Sequence, residues 1–424
     1  MINIFDAFHK LATIIVLTMV YTFCLNTVAA AEDNRSKLLE EAQGQWEHYL
    51  DLLKDTGNFL ENPMVPYAPE RVPGYLFMTL AQAYSLIVAS DPDFPEFTPY
   101  VNHTFNIAGP NPDTVYYFTS IDTSNTYRIY GNRGTVYALD FQLGYDYFGF
   151  AEKVGGVLQK KTFDEIDVAA DGSFEILLGT KIPAGYKGNW IELDERVNFF
   201  VTRQIAYHPD EIAANMVIEK VAGEPTPKRY PDAHSELQAI VDYVKYSSAA
   251  WLDLPGVLVK QGVINRFVIP DWADEGGVTG QVYQHGLYDV AADEAMIVTV
   301  RLPEQCDYWN VQTTDMLWQT HDFMRTQSSF NGHIDRSDGD GLTRIVFSHR
   351  DPGAKNWIDL NDFDRGYVLM RWINCQPDRE PQVELIKFAE LNEYLPADTT
   401  TVTPEQRLLE IRKAASARHK RRYW

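Results

Sequence analysis

The chain reads as a mainly β protein with helical additions: N-terminal helices, two repeated strand-rich units and a C-terminal helix. Three observations lead there. Short β-branched and aromatic runs, punctuated by Gly, Asn and Asp, cluster in two separate blocks. The blocks share an ordered set of residues at nearly equal spacings. The order helices, strands, helix, strands does not alternate β with α, which argues against a parallel βαβ architecture.

Residues 11–31 carry no charge and end in Val28-Ala29-Ala30-Ala31 before Glu32. An apolar stretch leaving through small residues predicts a secretory signal over 1–31, cut after Ala30 or Ala31. The rival is a retained anchor, because 21 uncharged residues nearly span a bilayer. The mature protein is then exported, periplasmic or secreted, with no membrane span. Residues 32–95 are expected to be helical. Over 36–55, Leu39, Ala42, Trp46, Tyr49, Leu50 and Leu53 fall on one helical face. After a Pro-rich stretch, residues 75–89 are apolar nearly all round, which predicts a buried helix.

Strands are expected at 115–120, 126–130, 136–142, 174–178, 199–206 and 216–221, within a first unit spanning 96–230. Gly131-Asn132-Arg133-Gly134 would join the second and third as a hairpin. A helical connector follows over 231–295, with its helix at 235–252. A second unit, 296–395, has strands at 296–302, 308–312, 343–347 and 367–373. The units align residue by residue. Asp171-Gly172, Pro183, Asn189-Trp190-Ile191 and Arg203 match Asp340-Gly341, Pro352, Asn356-Trp357-Ile358 and Arg371. Asp to Pro is 12 residues in both. Gln142 and Gln312 precede their tryptophans by 48 and 45. Shared residues serve the shared fold, so Trp190 and Trp357 are expected to be core anchors and the two arginines ion-paired.

The C-terminal segment, 396–424, opens its helix with the capping box Thr403-Pro404-Glu405-Gln406. Leu408, Leu409, Ile411 and Ala415 form the expected apolar strip. Residues 402–424 carry +5, which leaves −27 for residues 32–401 of a chain whose net charge is −22. Such an acidic body excludes phosphate-backbone binding by the whole protein, so no nucleic acid is expected as partner. The basic helix is expected to dock on acidic surface, of its own chain or of a second copy in a homo-oligomer.

Chemistry is sought where the units differ. The second contains His321, His333, His349 and Asp351, with Ser328 and Ser329 nearby, a set able to build an acid–base pair or a metal site. His333, His349 and Asp351 are the candidate catalytic residues. Tyr116, Tyr117, Trp318, Asn331 and Arg350 are the candidate ligand-binding residues. No metal-binding or nucleophile motif is present, and no cofactor is expected. Asp335 to Gly341 has the look of a calcium loop but lacks the closing Glu, which favours a plain turn. Cys306 and Cys375 either close a bridge or remain two buried thiols.

Together, Asn111-Pro-Asp-Thr-Val-Tyr-Tyr117, Tyr127-Arg-Ile-Tyr-Gly131, Asp171-Gly-Ser-Phe-Glu-Ile176, Gly188-Asn-Trp-Ile191, Trp318-Gln-Thr320, Gln327-Ser-Ser-Phe-Asn-Gly-His333, His349-Arg-Asp-Pro-Gly353 and the Arg-Arg-Tyr ending resemble the DUF1214 family of uncharacterised bacterial proteins. The resemblance runs from about residue 70 to the C-terminus. It implies a β-sandwich, jelly-roll-like core in an often exported protein, encoded near steroid or other hydrophobic-compound catabolism, and it implies no reaction. The DUF1254 module that accompanies shorter members is not evident. Two functions follow. The first is binding of an apolar or sugar-like small molecule in an aromatic-lined cleft between the units. The second is a hydrolase or isomerase built on His333, His349 and Asp351, with or without a divalent metal.

Overall fold

The structure, a computed structural model, describes residues 4–54, 61, 65–224, 227, 230, 232–269, 280–377 and 379–421. It is a mixed α/β fold with several helices and four multi-stranded sheets. The chain falls into two compact units, Met1–Asp55 and Thr56–Trp424. The first is a single helix, α1 (Ile4–Lys54), and the helix expected over 36–55 is its second half. Leu39 and Trp46, on the expected apolar face, are exposed. Among the described residues no helix is long and apolar enough to cross a membrane.

The second unit begins with α2 (Val72–Ala83), started by Pro73 in its first turn and continued by a π-helical turn over Tyr84–Val88. Tyr75, Thr79, Ala83, Leu86 and Ile87 are buried, whereas Phe77 and Tyr84 are exposed. Burial on all sides, expected from the apolar run, is therefore corrected to burial on one side.

The first block contains β1 (Thr98–Pro99), β2 (Thr114–Ser120), β3 (Thr126–Asn132), β4 (Ala138–Tyr145), β5 (Gly156–Thr162), β6 (Ser173–Gly179), β7 (Asn189–Glu192), β8 (Phe199–Ile205) and β9 (Asn215–Ala222). Helix α3 (Ala233–Gln261) follows, capped by Asp232 and ended by Gly262 in the left-handed region. The second block contains β10 (Gln281–Asp289), β11 (Glu294–Val300), β12 (Tyr308–Thr314), β13 (Ser329–Asn331), β14 (Thr343–Ser348), β15 (Trp357–Asp359), β16 (Arg365–Ile373) and β17 (Gln382–Lys387). The short α4 (Leu391–Tyr394) and then α5 (Pro404–Lys420) complete the described chain.

The two blocks pair their strands in the same order. The sheet β1-β2-β8-β4-β5 matches β10-β16-β12-β13, apart from the added β1, and β7-β6-β3-β9 matches β15-β14-β11-β17. In each block one pair is parallel, β6 with β7 and β14 with β15. One core cluster joins Ile129 and Ile176 to Phe141 and Phe200, from the two sheets of the first block. Another joins Val298 and Phe347 to Val311 and Met370 in the second.

The shared residues occupy equivalent places. Asn189 clasps residue 167, accepting from its N–H at 2.8 Å and donating to its carbonyl at 3.0 Å. Asn356 makes the same clasp on Arg336, at 3.1 and 2.9 Å. Trp357 is buried, with Nε1 donating to Ser348 Oγ at 3.0 Å, but Trp190 is only half-buried. Arg203 lies 3.8 Å from the Asp140 carboxylate. Arg371, expected to be ion-paired, instead donates to Gln312 Oε1 and to the Gly109 carbonyl.

Three expectations about elements are corrected. The 131–134 hairpin does not form, because β3 pairs with β6 and β9 while β4 lies in the other sheet with β8 and β5. Residues 231–295 are not all helical connector, since β10 lies within them and runs along all of β16. Gln284 and His285 are wholly buried there, and such polar residues in an inner strand mask its apolar signature. The strands β1, β5, β7, β13, β15 and β17 also lie outside the runs expected from sequence.

Cys306 and Cys375 form a disulfide, with their Cα atoms 4.9 Å apart. The Asp335–Gly341 segment spends its carboxylates on protein donors. Arg344 reaches Asp338 and Asp340 at 2.7 Å each, and Thr343 donates to Asp335 at 3.2 Å. Among the described residues no group of three or more His, Cys, Asp or Glu is placed to hold a metal ion.

Candidate functional site

The turn between β1 and β2 is the pivot of the site. Asn111 Oδ1 accepts from the Asp113 N–H at 3.0 Å, an Asx turn that the Asn-Pro-Asp sequence favours. Its own N–H donates to Tyr116 Oη at 3.1 Å, so the first residue of the turn is tied to the strand it introduces. From the second block, Asn310 Nδ2 donates to Asn111 Oδ1 at 3.0 Å, and Asn111 Nδ2 donates to Tyr308 Oη at 3.0 Å. Tyr308 Oη in turn donates to Asp113 Oδ2 at 2.8 Å, and Asn331 Nδ2 reaches the same oxygen at 2.9 Å. All five side chains are buried. Burial, with the Asp113 charge second, raises Tyr308 well above its ordinary range and keeps its hydroxyl a donor.

Helix α5 closes the junction. Its capping box forms as the sequence predicts, with Gln406 N–H donating to Thr403 Oγ1 and Thr403 N–H to Gln406 Oε1. The inward face, however, is not the expected apolar strip. Leu408 and Leu409 are exposed, and the buried positions are Arg407, Ala417 and Arg421. Arg407 binds Asp351 at 3.0 Å, Gln327 Oε1 at 2.8 Å and the Ala354 and Lys355 carbonyls. Arg418 donates to the Pro112 carbonyl at 3.1 Å, to the Phe323 carbonyl and to Ser329 Oγ at 3.3 Å. Burial pulls its guanidinium down to about 10. Arg421 reaches only the His208 carbonyl, at 3.4 Å, among the described residues. The basic helix thus docks on its own chain mainly through backbone oxygens rather than through surface carboxylates. Arg422 and Tyr423, part of the family-like ending, lie outside the described residues.

Two clefts flank this junction, and both are lined by Asp113, Arg418 and Arg421. The first encloses about 590 Å³, its open mouth included, with walls from Pro99, Val101, Tyr116, Tyr117, Phe323 and Met324. First-block residues form one part of the lining, second-block residues another, and Arg418 and Arg421, from α5 and its end, a third. The second encloses about 420 Å³ and is lined by Tyr207, His208, Asn331 and His333. The His208 and His333 rings are 4.1 Å apart. Burial first, then the neighbouring His208, holds His333 below its ordinary value.

The sequence-predicted site residues are therefore dispersed. Tyr116 and Tyr117 line the first cleft, and Asn331 and His333 the second. His349 lies elsewhere, with Nε2 at 2.9 Å from the Val290 carbonyl and 3.3 Å from Asp364. Asp351 is held by Arg407 and accepts from the Gly353 N–H at 2.8 Å. No hydrogen bond, ion pair or ring contact among the described residues joins His333 to His349 or Asp351. Arg350 sits 4.3 Å over the Phe388 ring. Trp318 is buried, backbone in the left-handed region, packed on Trp251 and Tyr367. His321 is buried between Thr313 Oγ1 at 3.1 Å and Tyr288 Oη at 3.3 Å, so it does not sit in an exposed loop. Sequence reasoning missed Asp113, His208, Tyr308, Arg418 and Arg421 as site residues. The one available signal was the Asn111-Pro112-Asp113-Thr114 turn.

Comparison with curated proteins finds no match. Among solved structures, an uncharacterized protein from Burkholderia cenocepacia is similar, with 26% identity and a TM-score of 0.73, over 81% of this chain and 97% of that one. The VPA0106 protein from Vibrio parahaemolyticus is 12% identical with a TM-score of 0.45, over 80% of this chain and 100% of that one. The model of a family of proteins of unknown function, DUF1214, matches residues 151–211 and 289–377. These segments hold β5–β8 and β11–β16, and with them Tyr207, His208, Tyr308, Asn331 and His333 of the junction. The chain belongs to the DUF1214 family.

Proposed function

We propose that this protein binds a small molecule with an apolar body in the first cleft, between the two strand blocks. The observation that carries the reading is the composition of that cleft: an apolar wall drawn from both blocks, with a few convergent polar groups at its base. Aliphatic, proline and aromatic walls favour an apolar ligand over a sugar. The polar network of Asp113, Tyr308 and Asn331 fixes the walls, so the cleft is largely pre-formed and binding carries little ordering cost. We read each block as a two-sheet sandwich of the jelly-roll kind, for which the core clusters shared between sheets are the support. The leader, uncharged over residues 11–31, supports an exported protein, and a role accessory to hydrophobic-compound catabolism fits the apolar cleft. The alternative, catalysis by His333, His349 and Asp351, has less support, because the three share no contact.

The test is a thermal-shift screen of apolar aromatic and alicyclic compounds on the wild type and on Met324→Trp, which fills the cleft. Binding in this cleft predicts Tm increases for the wild type that vanish in Met324→Trp and persist in His349→Ala. Equal increases in wild type and Met324→Trp would sink the reading.

A further inference from the structure

Resting on that reading, we propose that the ligand carries a carboxylate on its apolar body and that Arg421 receives it. The cleft holds two guanidiniums against one acid. Arg418 is spent, its three donor nitrogens each bound to a Pro112, Phe323 or Ser329 oxygen. Asp113, the single carboxylate lining either cleft, is committed through Oδ2 to Tyr308 and Asn331. Arg421 remains. It is 6% exposed, lines both clefts and spends one long hydrogen bond of 3.4 Å on a carbonyl. No carboxylate of the described residues lies within ion-pair distance of it.

A guanidinium has five N–H donors in a planar fork, and among the described residues only one of Arg421's is spent. Enclosing such a cation without a counter-charge is costly, and the cost is offset when an anion enters beside it. Position at the end of α5 helps, because the helix dipole favours a cation there, but by less than a paired carboxylate would. Burial lowers Arg421 from its ordinary value, with the more distant charges of Asp113 and then Glu211 only partly opposing, in keeping with a cation that lacks a paired carboxylate among the described residues. The fork matches a carboxylate bidentately, and the apolar wall of Val101, Tyr117 and Phe323 would take the remainder of the ligand. A protein body of −27 repels organic acids at long range, so this local cationic base is what admits one.

The experiment is calorimetric titration with 2-naphthylacetate and its neutral isostere 2-naphthylacetamide, against wild type, Arg421→Met, Arg421→Lys and Met324→Trp. The expected result is at least tenfold tighter binding of the acid than of the amide by wild type. Arg421→Met should bring the two to parity with amide affinity unchanged, and Arg421→Lys should keep part of the preference. Equal wild-type affinity for acid and amide, both lost in Met324→Trp, overturns the anion assignment and leaves the cleft reading intact. An acid preference that survives Arg421→Met places the anion elsewhere and overturns the role of Arg421. Binding of neither compound overturns both readings for aromatic ligands. Should Arg421→Met fail to fold, the wild-type comparison and Arg421→Lys decide.

Discussion

Removing the Asp113 carboxylate would leave Tyr308 Oη and Asn331 Nδ2 without the oxygen they share, inside a region closed to water. Unmet buried donors cost about 1–3 kcal/mol each, so Asp113→Ala is expected to lose about 3 kcal/mol in urea denaturation. Asp113→Asn, which keeps an acceptor, should lose less. His321 supports a prediction about pH. Burial first, and Arg71 next, lower it to about 3 from its ordinary 6.5, with His349 also contributing. The folded chain then binds fewer protons than the unfolded chain below pH 6.5. The stability present above that pH is lost as pH falls toward the folded value. Asp140 and Asp315 run oppositely: burial raises each to about 6, so their contribution is present below the ordinary carboxylate range and is lost as pH rises through 6. Replacing His321 by Asn should therefore lower the stability at pH 7 relative to that at pH 5 by about 2 kcal/mol, read from denaturation at both pH values. An unchanged difference between the two pH values would refute this account. None of these environments is written in a His or Asp by itself. His333, His349 and Asp351 lie within 19 positions of one another in the chain, yet the strands between them carry them to separate surfaces.

Helix α5 shows how an element can be legible at its ends and misleading on its face. The capping box set its start, because that signal involves only residues three positions apart. Which face points inward depended on what it meets, and the carbonyls of Ala354, Lys355, Pro112 and Phe323 select arginines over leucines. Arg407→Met should leave Asp351 and the Ala354 and Lys355 carbonyls without their Arg407 donor, lowering stability by roughly 3–5 kcal/mol and speeding proteolysis of α5. Leu409→Glu, at 68% exposure, should change stability by about 0.5 kcal/mol or less, which the apolar-strip reading would not allow. The turn at Gly109 is equally constrained. Its φ is +57°, and a Cβ there would stand 2.7 Å from Trp318 Nε1. Strand β10 was hidden by its polar inner residues. Strand β4 was assigned to the wrong neighbour because a Gly-rich loop signals a turn without saying which sheet receives the next strand.

Across the whole molecule the two blocks repeat one order of strand pairing, and the Cys306–Cys375 disulfide ties the segment before β12 to the end of β16. It closes a loop of 69 residues. On the chain-entropy account its loss, in the Cys306→Ser/Cys375→Ser double variant, should cost about 4 kcal/mol. The denaturation midpoint should fall to that of the reduced wild type.

The strand blocks, their internal correspondence, the caps of α5 and the acidic body with its basic end all follow from local spacing and composition, because periodicity, capping and charge are properties of neighbouring residues. The site does not. Asp113, Tyr308, Asn331 and Arg421 come from segments up to 308 positions apart, and their meeting depends on which sheets pack and which helix face is turned inward. Those choices belong to the competition for buried hydrogen-bond partners, which is settled only when the folded chain brings distant donors and acceptors together.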